Sequence, residues 1–209
     1  MSEARAQILE RLRARQADAT DPGAWTTRRD FPDLVSRFST ALEAARGEVF
    51  IEDDLAAAVV RLERLLHNLG AQRVVANPEP PLDTLDLPVR FPDYAWHVAG
   101  ENREALRQFC SEADAGLSSA QAALAETGTV IVDNADGRSR LVTLLPPVHI
   151  VLLPASRLTS DIFTWTAARS GPLPPNVTLI SGPSKTADIE QTLAVGVHGP
   201  RRLSVIVYR

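Results

Sequence analysis

A chain of 209 residues is slightly longer than a common single domain, so its length favours one domain with an N-terminal extension. Hydrophobic residues make up 44% and charged residues 23%, the mix of a globular protein with a large core, which excludes a disordered or fibrous chain. A formal net charge of -4 argues against a protein that holds nucleic acid by neutralising its phosphates.

The cysteine count limits the metal chemistry of the chain. Cys110 is its one cysteine, so neither an intrachain disulfide, a cysteine zinc site nor an iron–sulfur cluster can be built from this chain alone. Residues 1–16 carry charge every few positions and lack the apolar run of a signal peptide, and no stretch has the length of a membrane span. We therefore expect a cytoplasmic protein without a metal, a membrane span or a nucleic-acid partner.

The N-terminal region is predicted to be helical. Ile8, Leu9 and Leu12 fall on one stripe among charged residues, the spacing of an amphipathic helix that docks on another surface, with Ser2 as its cap. A stretch rich in turn formers follows and predicts a linker. The sequence thus indicates a helical extension and linker over residues 1–30 and one domain over residues 31–209.

Helical and extended patterns then alternate along the chain. Residues 77–88, rich in proline, are predicted to be an exposed connection. Alternation of this kind is the order of an α/β fold. The helical stretches are 33–47, 54–70 and 101–114, and the strand-like stretches are 48–53, 72–77 and 128–133.

The C-terminal half adds an antiparallel element to this pattern. Residues 129–145 contain two extended runs around the polar turn "NADG", which predicts a β-hairpin. Residues 156–169 are helical in pattern. Three apolar runs, 149–154, 177–182 and 203–209, predict strands buried on both faces of a parallel sheet.

The stretch "SGPSKTADIEQTLAVGVHGP", residues 181–200, invites a phosphate-binding interpretation. A P-loop is excluded, because it needs glycine at the positions of Leu179 and Ser184. A strand, a turn and then a helix remain, and the free backbone N–H groups at the helix start would hold an anion. The alternative is ordinary capping of that helix by Ser184 or Thr186.

The stretch "AETGT", residues 125–129, places a carboxylate beside two hydroxyl groups. Glu126 with Thr127 and Thr129 would suit a ligand pocket or acid/base chemistry, whereas a plain turn with Gly128 supplying an unusual backbone angle explains the same residues. No Gly-x-Ser-x-Gly elbow and no dinucleotide glycine motif occurs.

Histidine and cysteine give no clear site. His149 and His198 have no ligand spacing, and each is more easily explained as a packing residue. Cys110 falls in a helical pattern, where we expect it to be buried and inert.

Three long blocks carry a family resemblance. "DAGLSSAQAALAETGTVIV", "LLPPVHIVLL" and "NVTLISGPSKTADIEQTLAVGVHGPRRLSVIV" closely resemble the lactate-utilisation protein C family, whose domain is the LUD domain, and together they cover roughly residues 113–208. The resemblance implies a Rossmann-like α/β sheet of the NagB/RpiA/CoA-transferase type with an added antiparallel hairpin. It also implies work in a bacterial three-protein system that oxidises L-lactate to pyruvate, in which companion proteins carry the iron–sulfur clusters and this chain carries no cofactor.

The fold implied by the resemblance also suggests a site. Ligands of related isomerases and transferases lie over the carboxyl ends of the strands, so "AETGT" and "SGPSKTADIE" are expected to meet there. Glu126 would be the acid/base or ligand-orienting carboxylate. The pocket would hold a phosphate or a carboxylate such as lactate or pyruvate. The residues that would shape it and bind the anion are Thr127, Gly128, Thr129, Ser181, Gly182, Ser184, Lys185, Thr186, Asp188 and His198.

Three functions fit the sequence. The first is a subunit or accessory factor of a lactate oxidation complex, and thus a component of an L-lactate dehydrogenase system that works with iron–sulfur companions. The second is an independent isomerase or transferase acting on a small anionic metabolite through Glu126 and Lys185. The third is a binding or regulatory module whose N-terminal helix docks on a partner.

Overall fold

The computed structural model describes residues 3–14, 28–100, 102–135, 137–171, 174–187, 193–196 and 198–209. In these ranges the α-helices are α1 Glu3–Ala14, α2 Leu34–Ala44, α3 Leu55–Asn68, α4 Leu87–Arg90, α5 Arg103–Glu112, α6 Arg140–Leu144 and α7 Ile162–Ala168. The strands are β1 Glu48–Glu52, β2 Arg73–Ala76, β3 Ala95–Val98, β4 Ala115–Ser119, β5 Ala122–Leu124, β6 Thr129–Asp133, β7 Val148–Pro154, β8 Leu158–Thr159, β9 Val177–Ile180, β10 Lys185–Ala187, β11 Leu193–Val195 and β12 Arg202–Tyr208. Short 3-10 turns span Leu82–Thr84 and Ala155–Arg157.

A six-stranded sheet forms the centre of the molecule. Its strand order is β1-β12-β7-β4-β2-β3, and every neighbouring pair is parallel. Along β7, Ile150 and Leu152 pack into one hydrophobic cluster while Val151 and Leu153 pack into another, so this strand is buried on both faces. The predicted α/β class with a parallel sheet is confirmed.

Helices cover both faces of the central sheet. On one face α3 contributes Leu62 and Leu66 to a cluster with strand residues from β2, β4, β7 and β12. On the other face α2 contributes Phe38 and Leu42, both completely buried. The α2 helix begins at a capping aspartate, Asp33, whose carboxylate accepts hydrogen bonds from two backbone N–H groups of the first turn.

A second sheet of four strands, in the order β8-β5-β6-β9, lies beside the first. It contains a true hairpin, β5 with β6, but the predicted hairpin over residues 129–145 is wrong in its second strand. Residues after the "NADG" turn form α6. The helix is favoured because the backbone N–H of Leu141 donates to the capping hydroxyl of Ser139 and because Val142 is buried on one side of the helix. The antiparallel element therefore exists, but β6 pairs with β5 before it and with β9 much later in the chain, and not with the residues that directly follow the turn.

Three further expectations need correction. Residues 177–182 give β9, an antiparallel edge strand of the second sheet with Leu179 exposed, and not a strand of the parallel sheet. The helix predicted to begin after Ser184 does not begin there, because Lys185–Ala187 form β10, antiparallel to β11, and residues 188–192 lie outside the described residues. Residues 77–88 are not an exposed connection, because Asn77 and Glu79 are buried. Strands β3, β4, β5, β8 and β11 were not predicted.

The N-terminal helix was predicted correctly as a helix. None of the residues of α1 is buried, and Ile8 and Leu12 are about 60% exposed, at 59% and 61%. Ser2, the predicted cap, and most of the predicted linker lie outside the described residues. Docking of this helix and the domain boundary at residue 30 stay predictions. No helix among the described residues has the length and apolar character needed to cross a membrane.

Gly128 fixes how α2 meets the second sheet. Its φ is +65°, as the turn interpretation required, and a Cβ there would overlap the backbone of Ala41 and Leu42. Gly70 has nearly the same φ, +61°, but open space around it. The two glycines therefore separate the cost of the backbone angle from the cost of close packing.

We expect Gly70→Ala to lower the free energy of unfolding by about 1 kcal/mol, the cost of a left-handed alanine. Gly128→Ala should cost about 3 kcal/mol because the helix must also move away. Urea unfolding of both variants and the wild type measures the difference. Equal losses would show that α2 does not need the close contact.

Candidate functional site

The carboxyl ends of the parallel strands converge on a polar pocket. Residues that follow β2, β4, β6 and β7 surround a cavity of about 250 Å³. In parallel α/β sheets ligands bind outside this edge of the sheet. The cavity is lined by Glu79, Pro80, Gln121, Arg138 and Arg157.

Glu79 is the buried carboxyl of this pocket. It is only 6% exposed, and its Oε1 accepts a hydrogen bond of 2.7 Å from the backbone N–H of Ser119. Its Oε2 lies 3.4 Å from Nη1 of Arg138. Burial raises the pKa of Glu79 above its ordinary value, and the Ser119 N–H and the Arg138 guanidinium offset only part of that rise.

Arg138 connects Glu79 to a second carboxylate. Its Nη2 lies 2.9 Å from Oδ1 of Asp133, a fully buried side chain, and its Nε donates to the carbonyl of Ala135 at 2.8 Å. The other carboxylate oxygen of Asp133, Oδ2, is buried without a hydrogen-bond partner. Two carboxyl groups thus share one guanidinium, and the charge of Asp133 adds to the rise in the pKa of Glu79.

Arg157 forms the opposite wall. Its Nη1 donates to Oγ of Ser119 at 2.9 Å and to the carbonyl of Ala120 at 2.6 Å, while Ser119 Oγ donates to the carbonyl of Leu152. These bonds hold the guanidinium at the edge of the sheet between β4 and β7. The pocket therefore combines two guanidinium groups with one carboxyl whose pKa is raised, a set that suits a small carboxylate ligand.

The stretches predicted to form the site do meet, but elsewhere. Thr127 Oγ1 and Thr129 Oγ1 are 2.6 Å apart, and Thr129 Oγ1 lies 2.7 Å from Ser181 Oγ. Glu126 forms an ion pair with Arg29 at 3.0 Å, with its side chain 30% exposed. These residues belong to the second sheet and not to the carboxyl edge of the central sheet, so their expected place over that edge is wrong.

The remaining predicted residues line a second cavity. Lys185 Nζ donates to the carbonyl of Ala45 at 2.5 Å, which places this segment near the amino end of β1. Ser184 bonds through its backbone to Pro200 and Gly196. The side chain of Thr186 and the whole of Asp188 lie outside the described residues. The predicted residues that line this cavity, of about 420 Å³, are Ser181, Gly182, Ser184, Lys185 and His198.

The histidine and cysteine expectations can be compared with the structure. His149 is buried, as a packing residue would be, and its Nε2 lies 2.8 Å from Oγ of Ser118. Cys110 is buried in the helix α5, and burial raises the pKa of its thiol to about 11. In the part of the chain that the structure describes, no three His, Cys, Asp or Glu side chains are grouped so that they could hold a metal ion.

Comparison with known proteins now gives the family. A model of the LUD domain matches residues 2–208. The chain belongs to the LUD domain family. Lactate utilization protein C of Halalkalibacterium halodurans is 37% identical to this LUD chain over 163 residues, 71% of the chain and 70% of that protein. Lactate utilization protein C of an Exiguobacterium species is 43% identical over 111 residues, 50% of the chain and 48% of that protein.

The length of these matches and one solved structure complete the comparison. The LUD chain spans about half the length of several curated relatives that it matches, 48% and 50% in two of them. A crystal structure of a DUF162 family protein from Deinococcus radiodurans superimposes with a TM-score of 0.59 at 20% identity, covering 84% of this chain and 96% of that one. That likeness shows a shared fold. The NagB/RpiA/CoA-transferase type of the sheet stays a prediction.

The carboxyl-edge pocket was missed by the sequence analysis. Its key residue, Glu79, lies in the proline-rich stretch that was interpreted as exposed. A signal was present, since Glu79 follows the apolar strand β2 by three residues, where side chains reach the ligand edge of a parallel sheet. No local sequence pattern marks Arg138 and Arg157, because these residues and Glu79 lie in three separate loops that only the fold brings together.

The raised pKa of Glu79 predicts how stability changes with pH. Glu79 holds its proton more tightly in the folded chain than in the unfolded chain, where its pKa has the ordinary value of 4.5. The stabilisation by this group is therefore complete below the ordinary value and is lost as pH rises through the higher folded-state value.

We expect the free energy of unfolding of Glu79→Gln, relative to wild type, to increase as pH rises above 4.5, because the amide never ionises. Urea unfolding of both proteins across this pH range measures the difference. Titration of the Glu79 side-chain carbon by NMR gives the folded-state pKa directly. A difference that stays constant or falls with pH would contradict the assignment.

Proposed function

We propose that this chain is a component of L-lactate utilisation and that its carboxyl-edge pocket binds a small organic acid of the lactate and pyruvate class. Membership of the LUD family and the curated relatives named lactate utilization protein C support the first part. The pocket formed by Glu79, Arg138 and Arg157 is the observation that carries the second part.

The charges of the pocket favour a monocarboxylate. Arg157 offers a fixed guanidinium on one wall, and a guanidinium pairs with a carboxylate through two parallel hydrogen bonds. Arg138 is already shared by Glu79 and Asp133, so its main part is to keep Glu79 in place. A cavity of about 250 Å³ is of the right order for a three-carbon acid with its water.

Glu79 is suited to the second polar group of such a ligand. In its protonated form the carboxyl donates a hydrogen bond to a keto oxygen, and in its ionised form it accepts one from a hydroxyl group. A raised pKa brings the two forms closer in free energy near neutral pH. Glu79 would therefore recognise the 2-hydroxy or 2-keto group while Arg157 holds the carboxylate.

The electrons of lactate oxidation would pass to other proteins. With one buried cysteine whose thiol pKa is raised, this chain does not supply thiolate ligands for an iron–sulfur cluster of its own. We place the clusters in companion proteins of the same cytoplasmic system, with this chain as a subunit or accessory factor that binds the organic acid. A stand-alone isomerase or transferase that uses the same pocket is the alternative.

Reconstituted lactate-dependent dye reduction, with the iron–sulfur companions and this chain, tests the proposal. Glu79→Gln and Arg157→Gln should each lower activity by about tenfold or more, because each removes a charge-assisted contact with the ligand. Arg64→Gln, a change at an exposed residue outside the lining of this pocket, serves as the control and should leave activity unchanged. Circular dichroism shows which variants are folded.

Glu126→Gln distinguishes this pocket from the site that the sequence predicted. Loss of activity in Glu126→Gln with normal activity in Glu79→Gln would move the functional carboxylate to Glu126 and overturn the carboxyl-edge assignment. Full activity without this chain would remove it from the reaction. Turnover of an organic acid by the purified chain alone would favour the stand-alone enzyme.

A further inference from the structure

The second cavity lies at the opposite end of the central sheet. Its floor is formed by His149, the second residue of β7, and by Leu203, the second residue of β12. The seven-residue strand β7 is ~20 Å long and separates it from the carboxyl-edge pocket. The walls of the second cavity include Leu144, Leu179 and Lys185.

His149 leaves a polar atom unsatisfied in this floor. The side chain is 1% exposed, its Nε2 is bonded to Ser118, and its Nδ1 is buried without a hydrogen-bond partner. Burial lowers the pKa of His149 to about 3, so the ring is neutral. When the Ser118 hydroxyl donates to Nε2, the proton sits on Nδ1, and this N–H lacks an acceptor. Buried donors of this kind are rare without a ligand or water.

The charge of the cavity is one-sided. Lys185 lines it and is the only lysine in the sequence, while no Asp or Glu is among the lining residues that the structure describes. Two large apolar side chains of the cavity wall are exposed, Leu144 at 37% and Leu179 at 45%, and a bound ligand would cover them. The cavity therefore combines a positive group and a buried, unpaired ring nitrogen with an apolar wall.

We propose that this cavity is a second ligand site, which binds a carboxylate that carries an apolar chain. The carboxylate accepts the Nδ1–H of His149 within the positive potential of Lys185, and the chain packs along Leu144 and Leu179. The volume of about 420 Å³ lies in the range of small-molecule sites and exceeds that of the carboxyl-edge pocket. This inference uses none of the residues that carry the proposed function.

The single lysine provides a direct probe. Reductive methylation with ¹³C-formaldehyde keeps the positive charge and labels one side chain, Lys185, besides the chain terminus. Hexanoate should shift the Lys185 signal with saturation in the millimolar range, Kd ~1 mM, as expected for a ligand of this size. Hexanol, which lacks the charge, should bind about tenfold more weakly. Lactate should not compete.

Two leucine variants make the test specific. Leu179→Glu places a negative charge in the cavity wall and should weaken hexanoate binding by about tenfold or more. Leu145→Glu changes the leucine next to Leu144, which is 43% exposed against 45% for Leu179 and lies outside the cavity lining, and should leave binding unchanged. Both positions are at the surface, so both variants are expected to fold.

The position of His149 is tested by its own ring signals. Long-range ¹H–¹⁵N spectra of the wild type should show Nδ1 of His149 moving with hexanoate, at the same concentrations as the lysine signal. A shift without saturation, equal binding of hexanol and hexanoate, or equal loss in the two leucine variants would overturn the proposal. An unmoved His149 ring would also overturn it.

Discussion

The burial of β7 on both faces is the constraint on which the rest of this structure depends. Ile150 and Leu152 fill one core, and Val151 and Leu153 fill the other, so four successive residues of the strand are committed to packing. A strand in this position has no room for polar side chains that reach water. Polar chemistry is consequently confined to the two ends of β7, where His149 and Arg157 lie.

The carboxyl end shows how a buried acid is held there. Glu79 and Asp133 would repel each other if both were ionised, and Arg138 between them carries only one positive charge. Desolvation is the largest influence on Glu79, and the single Ser119 N–H cannot fully compensate it. The network therefore leaves the pKa of Glu79 above its ordinary value, a property that a fully paired carboxylate would lose.

The general fold could be predicted from the sequence because periodicity is a local signal. The helices α2, α3 and α5 and the strands β1, β2, β7 and β12 all have patterns that span their full length. The helix α6 and the strand β10 lack such patterns, since both are short and the segments that pack against them decide their secondary structure. Lys185 to Ala187 pairs with Leu193 to Val195, a contact that no single stretch reveals.

The candidate site was less predictable for a related reason. The Thr129 and Ser181 contact was anticipated, because both residues belong to stretches with visible polar groups beside strands. Glu79, Arg138 and Arg157 come together from three loops 19 residues or more apart in sequence. The strand order β7-β4-β2 brings the loops of Glu79 and Arg157 near each other, and Arg138 reaches them from the second sheet, in the loop after β6.

The second sheet explains why the amino end of β7 is also enclosed. In a parallel sheet without added strands that end would face solvent, and a histidine at this position would be exposed. Here β9 continues into the segment that reaches Ala45 through Lys185, and Gly182 allows a close approach to the same carbonyl. The added strands thus form a wall over His149, whose Nδ1 is unpaired, and this residue lines a cavity that the central sheet alone would not create.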